Sequence, residues 1–180
     1  MKRTLVSWFP FAVALTAVAL MVYAAVQQVY RSSANDPQIQ MAEDAAARLA
    51  AGAPPETVVA GEPVDMARSL APFMIVFSDS GAPVAASVRI EGRVPALPAG
   101  VLTAARSVPE QRLTWQPRPG VRSAIVIRHY GGASPGFVLA GRSLREVEQR
   151  VARLVSIVAT IWIASTGLLL VYFAFAAKTP

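Results

Sequence analysis

Two long stretches without a charged residue lie near the ends of this 180-residue chain, at Leu5–Val26 and Leu154–Ala177. A helix of roughly 20 apolar residues is long enough to cross the hydrocarbon core of a bilayer. Within that core each backbone polar group must be bonded inside the segment, which a helix achieves. The sequence therefore predicts two transmembrane helices, with every acidic residue of the chain between them.

The two runs divide the chain into five predicted segments. Short tails cover residues 1–4 and 178–180, the membrane helices cover 5–27 and 154–177, and one soluble domain covers 28–153. A domain of that length is near the lower end of the usual range and builds a single hydrophobic core. We therefore expect any binding site to lie between the two spans.

Positive charges at the termini predict the orientation of the chain in the bilayer. Lys2 and Arg3 precede the first span and Lys178 follows the second, and short positively charged flanks stay in the cytoplasm. Arginines on the loop side of the second span oppose this orientation, but long loops cross the membrane largely regardless of charge. A signal peptide cleaved after Ala24 is the alternative, although the apolar run is longer than that of a signal peptide.

The predicted location follows from this orientation and from the composition. The chain is rich in Ala, Arg, Pro and Val, which is typical of a bacterium with a high GC content. We therefore expect a two-pass protein of the bacterial inner membrane. Both of its termini would lie in the cytoplasm, and its domain would lie in the periplasm.

The composition also argues against several classes of function. The net charge is +6, but the 14 arginines of the loop are scattered among 11 acidic residues, so no nucleic-acid binding is expected. The chain has no cysteine, which excludes disulfides and thiolate metal sites. The only histidine, His129, lacks an obvious acidic partner in the sequence, and no serine lies in a nucleophile-elbow context. We expect neither an enzyme, nor a cofactor, nor a metal site.

The soluble segment contains both helix and strand signals. Asn35-Asp36-Pro37 is a helix start, with a capping residue before a proline at the first helical position, and Gly52–Pro55 ends that helix. A second helix is predicted from Pro63 to Leu70 and a third from Val101 to Arg106. The predicted strands, bounded by turns rich in glycine and proline, are Phe73–Ser78, Pro83–Val88, Gln111–Gln116, Arg122–Tyr130 and Gly136–Arg142.

These elements predict an α+β domain, with a five-stranded antiparallel sheet and helices on one side of it. Successive side chains of a strand point to opposite faces, so each strand offers one apolar face to a core. The predicted core face consists of the apolar residues that alternate along the strands, namely Phe73, Ile75, Phe77, Leu113, Trp115, Ile125, Ile127, Phe137 and Leu139.

The order of the elements resembles that of a class of bacterial receptors. A hairpin that begins with Phe73–Gly81, followed by a helix and three strands, is similar to PAS-like, Cache-type sensor domains. In those receptors the last strand runs into a helix that becomes the second span, as Phe137–Leu144 runs into Arg145–Glu148 here. The chain looks like the input half of a sensor histidine kinase. It departs from such kinases because no HAMP linker, phosphoacceptor histidine or ATP domain follows the span, so we expect its output to come from a partner.

Residues of the third and fourth predicted strands are the candidate ligand-binding residues. Alternation places Arg122, Arg128 and Tyr130 on one face of the fourth strand, where guanidinium groups would bind the carboxylate of a small anionic ligand. Trp115 on the neighbouring strand is the candidate ring for stacking on the ligand. The alternative is a solvated face with ordinary arginines, together with a tryptophan that packs in the core.

An apolar seam runs from the end of the loop into the second span. Its residues step by three and four, the spacing of a heptad, while Arg145, Glu146, Glu148 and Arg150 lie off it. The seam either packs on the first helix of the same chain or pairs two copies in a homodimer. The predicted seam consists of Leu144, Val147, Val151, Leu154, Val158, Ile161, Ser165 and Leu168.

The two spans predict a protein anchored in the lipid bilayer, and the resemblance implies that it is an extracytoplasmic sensor of a two-component system. Ligand binding in the domain would move the second membrane helix relative to the first, and a partner membrane kinase would supply the output. One rival interpretation is a structural or docking subunit of a membrane complex, with no ligand. Another is that the sequence is a fragment of a longer sensor histidine kinase.

Overall fold

The structure is a computed structural model, and it describes residues 2–33, 36–98 and 100–176. The chain divides into two compact units. One contains the two long helices at the ends of the chain, and the other, residues 32–146, contains the main sheet. The boundaries between the units lie at the loop-side ends of the two long helices.

The two long helices are α1, Lys2–Ser33, and α5, Arg145–Ala176. Each is apolar and long enough to cross a membrane, judged by length and composition, and the apolar stretch of α1 is Ser7–Val29. Many of their large apolar side chains are exposed, as expected for helices surrounded by lipid. The two helices therefore fit a two-pass membrane protein. Ala177 and Lys178, at the predicted end of the second span, lie outside the described residues.

Polar side chains of the two long helices bond across their interface. Nε1 of Trp8 donates to the carbonyl oxygen of Thr166 at 3.1 Å, and Nε1 of Trp162 donates to Thr16 Oγ1 at 2.9 Å. Thr16 Oγ1 in turn donates to the carbonyl oxygen of Ala12. Because hydrocarbon offers no water to an indole N–H, these bonds favour close packing of α1 on α5.

Among its described residues, the unit of residues 32–146 contains three shorter helices and seven strands. The helices are α2 (Asp36–Ala50), α3 (Pro55–Val58) and α4 (Val101–Ala105). The strands are β1 (Val64–Asp65), β2 (Phe73–Ser78), β3 (Pro83–Ala86), β4 (Val88–Arg89), β5 (Gln111–Arg118), β6 (Val121–Tyr130) and β7 (Gly136–Ser143). The predicted helix after Pro37 is confirmed, while its capping residue Asn35 lies outside the described residues.

Five of these strands form the main sheet, in the order β3-β2-β7-β6-β5. Every neighbouring pair is antiparallel, which confirms the predicted five-stranded antiparallel sheet. The order places β2, the first strand of the sheet along the chain, beside β7, the last. Both therefore lie inside the sheet, and β3 and β5 form its two edges.

The predicted core face is confirmed. Of the nine residues assigned to it, eight are buried in one cluster on the same face of the sheet, and Leu113 packs against that cluster half-buried. Ala105 of α4 and Val88 of β4 belong to the same cluster. The segment between β2 and β5 therefore covers this face.

The opposite face of the sheet is covered as well, which corrects the prediction of helices on one side. Ala42 and Leu49 of α2 lie in apolar clusters with Val126, Tyr130 and Val138 of the sheet. Strands β6 and β7 are buried at consecutive positions rather than at alternate ones. A central strand buried on both faces has this near-continuous apolar pattern.

The predicted helix from Pro63 to Leu70 is wrong. Val64 and Met66 instead donate their backbone N–H groups to Ser87 and Arg89, which makes a short parallel pairing of β1 with β4. Asp65 Oδ1 then accepts the N–H of Ala67 and closes a turn. Long-range backbone bonds thus replace the local helix that the residue types favour.

The predicted strand from Pro83 to Val88 is divided in two. The backbone N–H of Ser87 donates to the carbonyl oxygen of Met74, and the Ser87 hydroxyl oxygen accepts the N–H of Met74. The chain then leaves the main sheet, and Val88 pairs with Val64 instead. This departure leads the chain into the segment that covers the core face.

Candidate functional site

The four predicted ligand-binding residues do not line a common cavity. Trp115 is only 2% exposed and packs in the core cluster on one face of the sheet, beside Leu113 and Ile125. Tyr130 is 7% exposed and lies on the opposite face with α2. The two rings are therefore separated by the sheet itself. Ligand binding by these four residues stays a prediction, and they do not form one site.

The two predicted arginines have ordinary surroundings. Arg128 Nη1 lies 3.3 Å from Glu43 Oε1 of α2, so its charge is paired on the helix-covered face. Arg122 is exposed at the start of β6. Burial raises the pKa of the Tyr130 hydroxyl, which keeps that ring neutral over the physiological range. These features fit the alternative interpretation, in which the arginines have ordinary surroundings and the tryptophan packs in the core.

A cavity of about 370 Å³ lies on the core-face side, next to the turn that joins β2 to β3. That volume is within the range of small-molecule sites. Phe77 of β2 and Phe137 of β7 provide aromatic walls, and Leu97 and Leu102 provide aliphatic ones. The polar side chains that line the cavity are Asp79, Ser80, Thr103 and Arg106.

An ion pair marks the polar end of this cavity. Arg106 Nη1 donates to Asp79 Oδ1 at 2.7 Å, and Arg106 Nη2 donates to the Asp79 carbonyl oxygen at 3.0 Å. The guanidinium carbon lies 5.0 Å from the centre of the Phe137 ring, within the range of a cation–π contact. Three contacts thus fix Arg106, which comes directly after α4, beside the turn after β2.

His129 lies behind the ion pair, at the end of β6. Its Nε2 is 3.5 Å from Asp79 Oδ1, and its ring meets the Phe137 ring edge-on at 5.0 Å between centres. The sequence offered no acidic partner for this histidine, but the hairpin turn brings Asp79 to it. His129 itself is not among the residues that line the cavity.

The electrostatics of the cluster centre on Asp79. The hydrogen bond from Arg106 lowers the pKa of the Asp79 carboxyl below its usual value, with burial opposing the shift and the charges of Arg106 and His129 adding to it. Asp79 is therefore ionised at neutral pH and balances the charge of Arg106. With a neutral imidazole the cluster has no net charge.

Sequence reasoning did not identify this site. Asp79 was assigned only to a hairpin turn, and Arg106 only to the end of a short helix. The two residues are 27 positions apart, and no motif joins them. The sequence contains one signal for this site, which is the acidic residue Asp79 in the turn directly after an apolar strand. Side chains at the ends of strands often line a binding site.

The predicted seam is partly covered within the single chain. Val147, Val151, Leu154 and Val158 are half-buried, whereas Ile161 is 60% exposed. Val158 also lines an open apolar groove of about 310 Å³ between α1 and α5. Leu144 is half-buried, and its N–H donates to the carbonyl oxygen of Arg122. The seam is therefore partly covered within the single chain, whereas Ile161 and Leu168 are exposed.

No protein-family model, curated protein or solved structure matches the chain. Apolar walls with one charged end are typical of a site for a small molecule that has an apolar body and a polar head. The cavity shows no arrangement of a nucleophile with a base among its described residues.

Proposed function

We propose that this chain is a membrane-anchored sensory input protein whose extracytoplasmic, PAS-like domain binds a small molecule in the cavity beside Asp79 and Arg106. Its termini lie in the cytoplasm and its domain lies in the periplasm of a bacterium, in accordance with the positively charged flanks. It acts on a partner membrane protein, such as a kinase, and has no catalytic role of its own. The order of the elements, a hairpin, a helix and three strands that lead into a span, supports the assignment to the PAS-like class.

The observation that carries this proposal is the continuity of β7 with α5. Phe137, near the start of β7, lines the cavity, and β7 ends at Ser143. Leu144 alone separates it from α5, which begins at Arg145. A displacement of β7 at the cavity therefore has a direct covalent path into the membrane helix.

A second path supports the same coupling through hydrogen bonds. Arg145 donates from Nη1 to the carbonyl oxygen of Ala67 at 3.3 Å and from Nη2 to that of Arg68 at 2.5 Å. These carbonyls follow β1, and β1 pairs with β4. The segment after β4 includes Val94 and Leu97, which line the cavity. The first residue of α5 is thus bonded to a chain of elements that ends at the cavity wall.

The ligand acts by favouring one arrangement of the membrane helices over another. It can shift that equilibrium only by its difference in affinity for the two arrangements. In the proposed mechanism an occupied cavity changes the position of α5, and the seam transmits the change to a second copy or to the partner.

Disulfide crosslinking in membranes tests this function. Ile161 and Ile163 are 60% and 64% exposed, but only Ile161 lies on the predicted seam. Two residues along a helix point in nearly opposite directions, so the two positions form a matched pair. We expect a single cysteine replacing Ile161 to crosslink to its twin, and one replacing Ile163 to do so much less. The native chain has no cysteine to interfere.

Filling the cavity should change that crosslinking. Ala96 is exposed and lines the cavity, so Ala96→Trp places a ring where the ligand would bind. We expect the crosslinking rate at position 161 to change by about twofold or more, the effect of a coupling change of roughly 0.5 kcal/mol. Ala71→Trp, at an exposed loop residue that does not line the cavity, is the control. An unchanged rate in Ala96→Trp would favour the docking interpretation.

A further inference from the structure

His129, the only histidine of the chain, lies against the carboxylate that balances the charged end of the cavity. Its Nε2 atom is buried and has no hydrogen-bond partner among the described residues, although Asp79 Oδ1 is 3.5 Å away. Histidine is the side chain used most often as a proton-dependent switch in proteins, and here it faces the carboxylate of the ion pair.

Two charged groups lie on the same side of the sheet as His129. Asp79 belongs to the turn after β2, and Arg106 follows α4. On the neighbouring strands, β7 contributes the Phe137 ring, and Glu110, the residue directly before β5, has its carboxylate paired with Arg112. The other charges of this end of β6 lie on the opposite face, where Arg128 pairs with Glu43.

The net charge of the cluster formed by Asp79, Arg106 and His129 depends on whether His129 holds a proton. With neutral His129, Asp79 cancels the charge of Arg106, and a second carboxylate placed beside Asp79 meets repulsion. With protonated His129 the three groups have a net charge of +1. Asp79 then interacts with two cations, so it neutralises the charge of Arg106 only in part. Arg106 lines the cavity, and its remaining positive charge attracts an anionic ligand.

We propose that the cavity binds a small carboxylate with an apolar body, and that His129 takes up a proton when the carboxylate binds. The carboxylate pairs with Arg106, and the apolar body packs on Phe77, Phe137 and Leu102. This rests on the proposed function, since it names the ligand class and the pH response of the same cavity. His129 is a positioning residue, because it acts on the ligand through Asp79.

Coupling between the two binding events is reciprocal. If the proton strengthens binding of the carboxylate, the carboxylate strengthens binding of the proton by the same factor. The affinity for the carboxylate is therefore expected to rise when the pH falls from 7.5 to 5.5.

The experiment uses the full chain in nanodiscs, with benzoate as the probe and benzamide as its uncharged analogue of the same shape. Calorimetric titration at pH 7.5 and pH 5.5 should show benzoate binding about fivefold tighter or more at the lower pH, the size of an ordinary coupling between two binding events. Benzamide should bind equally at both. Because His129 is the only histidine, its ring resonance in a ¹³C-histidine-labelled sample reports its titration directly. We expect the midpoint to rise when benzoate is added and to stay constant with benzamide.

Three variants in the cluster and one control outside it separate the roles of the three residues. Asp79→Asn should increase benzoate affinity at pH 7.5, a gain that a disrupted fold would not produce. His129→Gln should remove the pH dependence of benzoate binding. Arg106→Gln should abolish benzoate binding, whereas Arg112→Gln, which breaks a similar exposed ion pair away from the cavity, should have no effect.

Two results would overturn the proposal. Benzoate affinity that is equal at both pH values would remove the coupling to His129 and leave the cavity as a ligand site. Failure of benzoate to bind at either pH would remove the carboxylate site itself. Neither result touches the crosslinking response to Ala96→Trp, so failure of this proposal is distinguishable from failure of the sensory function.

Discussion

Replacing Ile127 with alanine is expected to lower the free energy of unfolding of the sheet domain by about 2–5 kcal/mol. Ile127 is 0% exposed, pairs with Gln111 of β5 and Leu139 of β7, and lies in the core cluster together with residues of the covering segment. Its removal leaves a cavity that the sheet cannot close, because the strands on either side are fixed by their own pairing.

Urea unfolding of the full chain in detergent micelles measures this loss. Trp115 packs in the same core cluster and reports it by fluorescence once Trp8 and Trp162 are replaced with phenylalanine. Val84→Ala on edge strand β3, at a side chain that is 49% exposed, is the control and should change stability by under about 0.5 kcal/mol. A loss of that size for Ile127→Ala would mean that the core face is misassigned.

Gly136→Ala is expected to cost about 1–3 kcal/mol through overpacking. Gly136 opens β7 and pairs with Ser78 on one side and Tyr130 on the other. An added Cβ would collide with the carbonyl oxygen of Phe77 and would lie 2.7 Å from Tyr130 Oη. The carbonyl belongs to a central strand, so relief requires β2 and β7 to separate where both line the cavity.

Gly131→Ala in the preceding turn provides a matched control. A Cβ at Gly131 would have no atom within 4 Å, and its backbone is outside the left-handed region. We expect Gly131→Ala to be neutral or slightly stabilising, because alanine reduces the freedom of the unfolded chain. Equal losses in both variants, measured by the same urea unfolding, would contradict the close approach of β2 to β7 at Gly136.

The core of the sheet could be predicted because its signal is local. Phe73, Ile75 and Phe77 alternate along one strand, and the same period is present in Ile125 and Ile127. Alternation determines which side chains share a face whatever the order of the strands. The second covered face was missed because β6 and β7 are apolar at consecutive positions, a pattern of double burial that alternation alone does not reveal.

The elements that the sequence did not predict depend on distant partners. Val64 and Met66 lie in a segment of helix-compatible residues, yet their N–H groups bond to Ser87 and Arg89 more than 20 positions away. The same holds for the cavity. Asp79 and His129 meet because β2 and β6 both pair with β7, and strand order is not contained in local patterns.

The predicted ligand residues failed to converge for a related reason. Arg128 and Tyr130 were correctly placed on one face of β6, but that face is covered by α2, where Arg128 pairs with Glu43. Trp115 lies on the other face with the core. A periodic pattern assigns faces to side chains and does not show which face has a cavity.

The central claim, that the sheet domain lies outside the cytoplasm between two membrane spans, is tested most directly by labelling single cysteines in intact bacterial cells. Thr114 is exposed on edge strand β5, and Thr179 follows the second span in the sequence. We predict that Thr114→Cys reacts with a membrane-impermeant maleimide in intact cells, and that Thr179→Cys reacts only after the cells are permeabilised. Protection of Thr114→Cys until permeabilisation would place the domain in the cytoplasm and contradict the account.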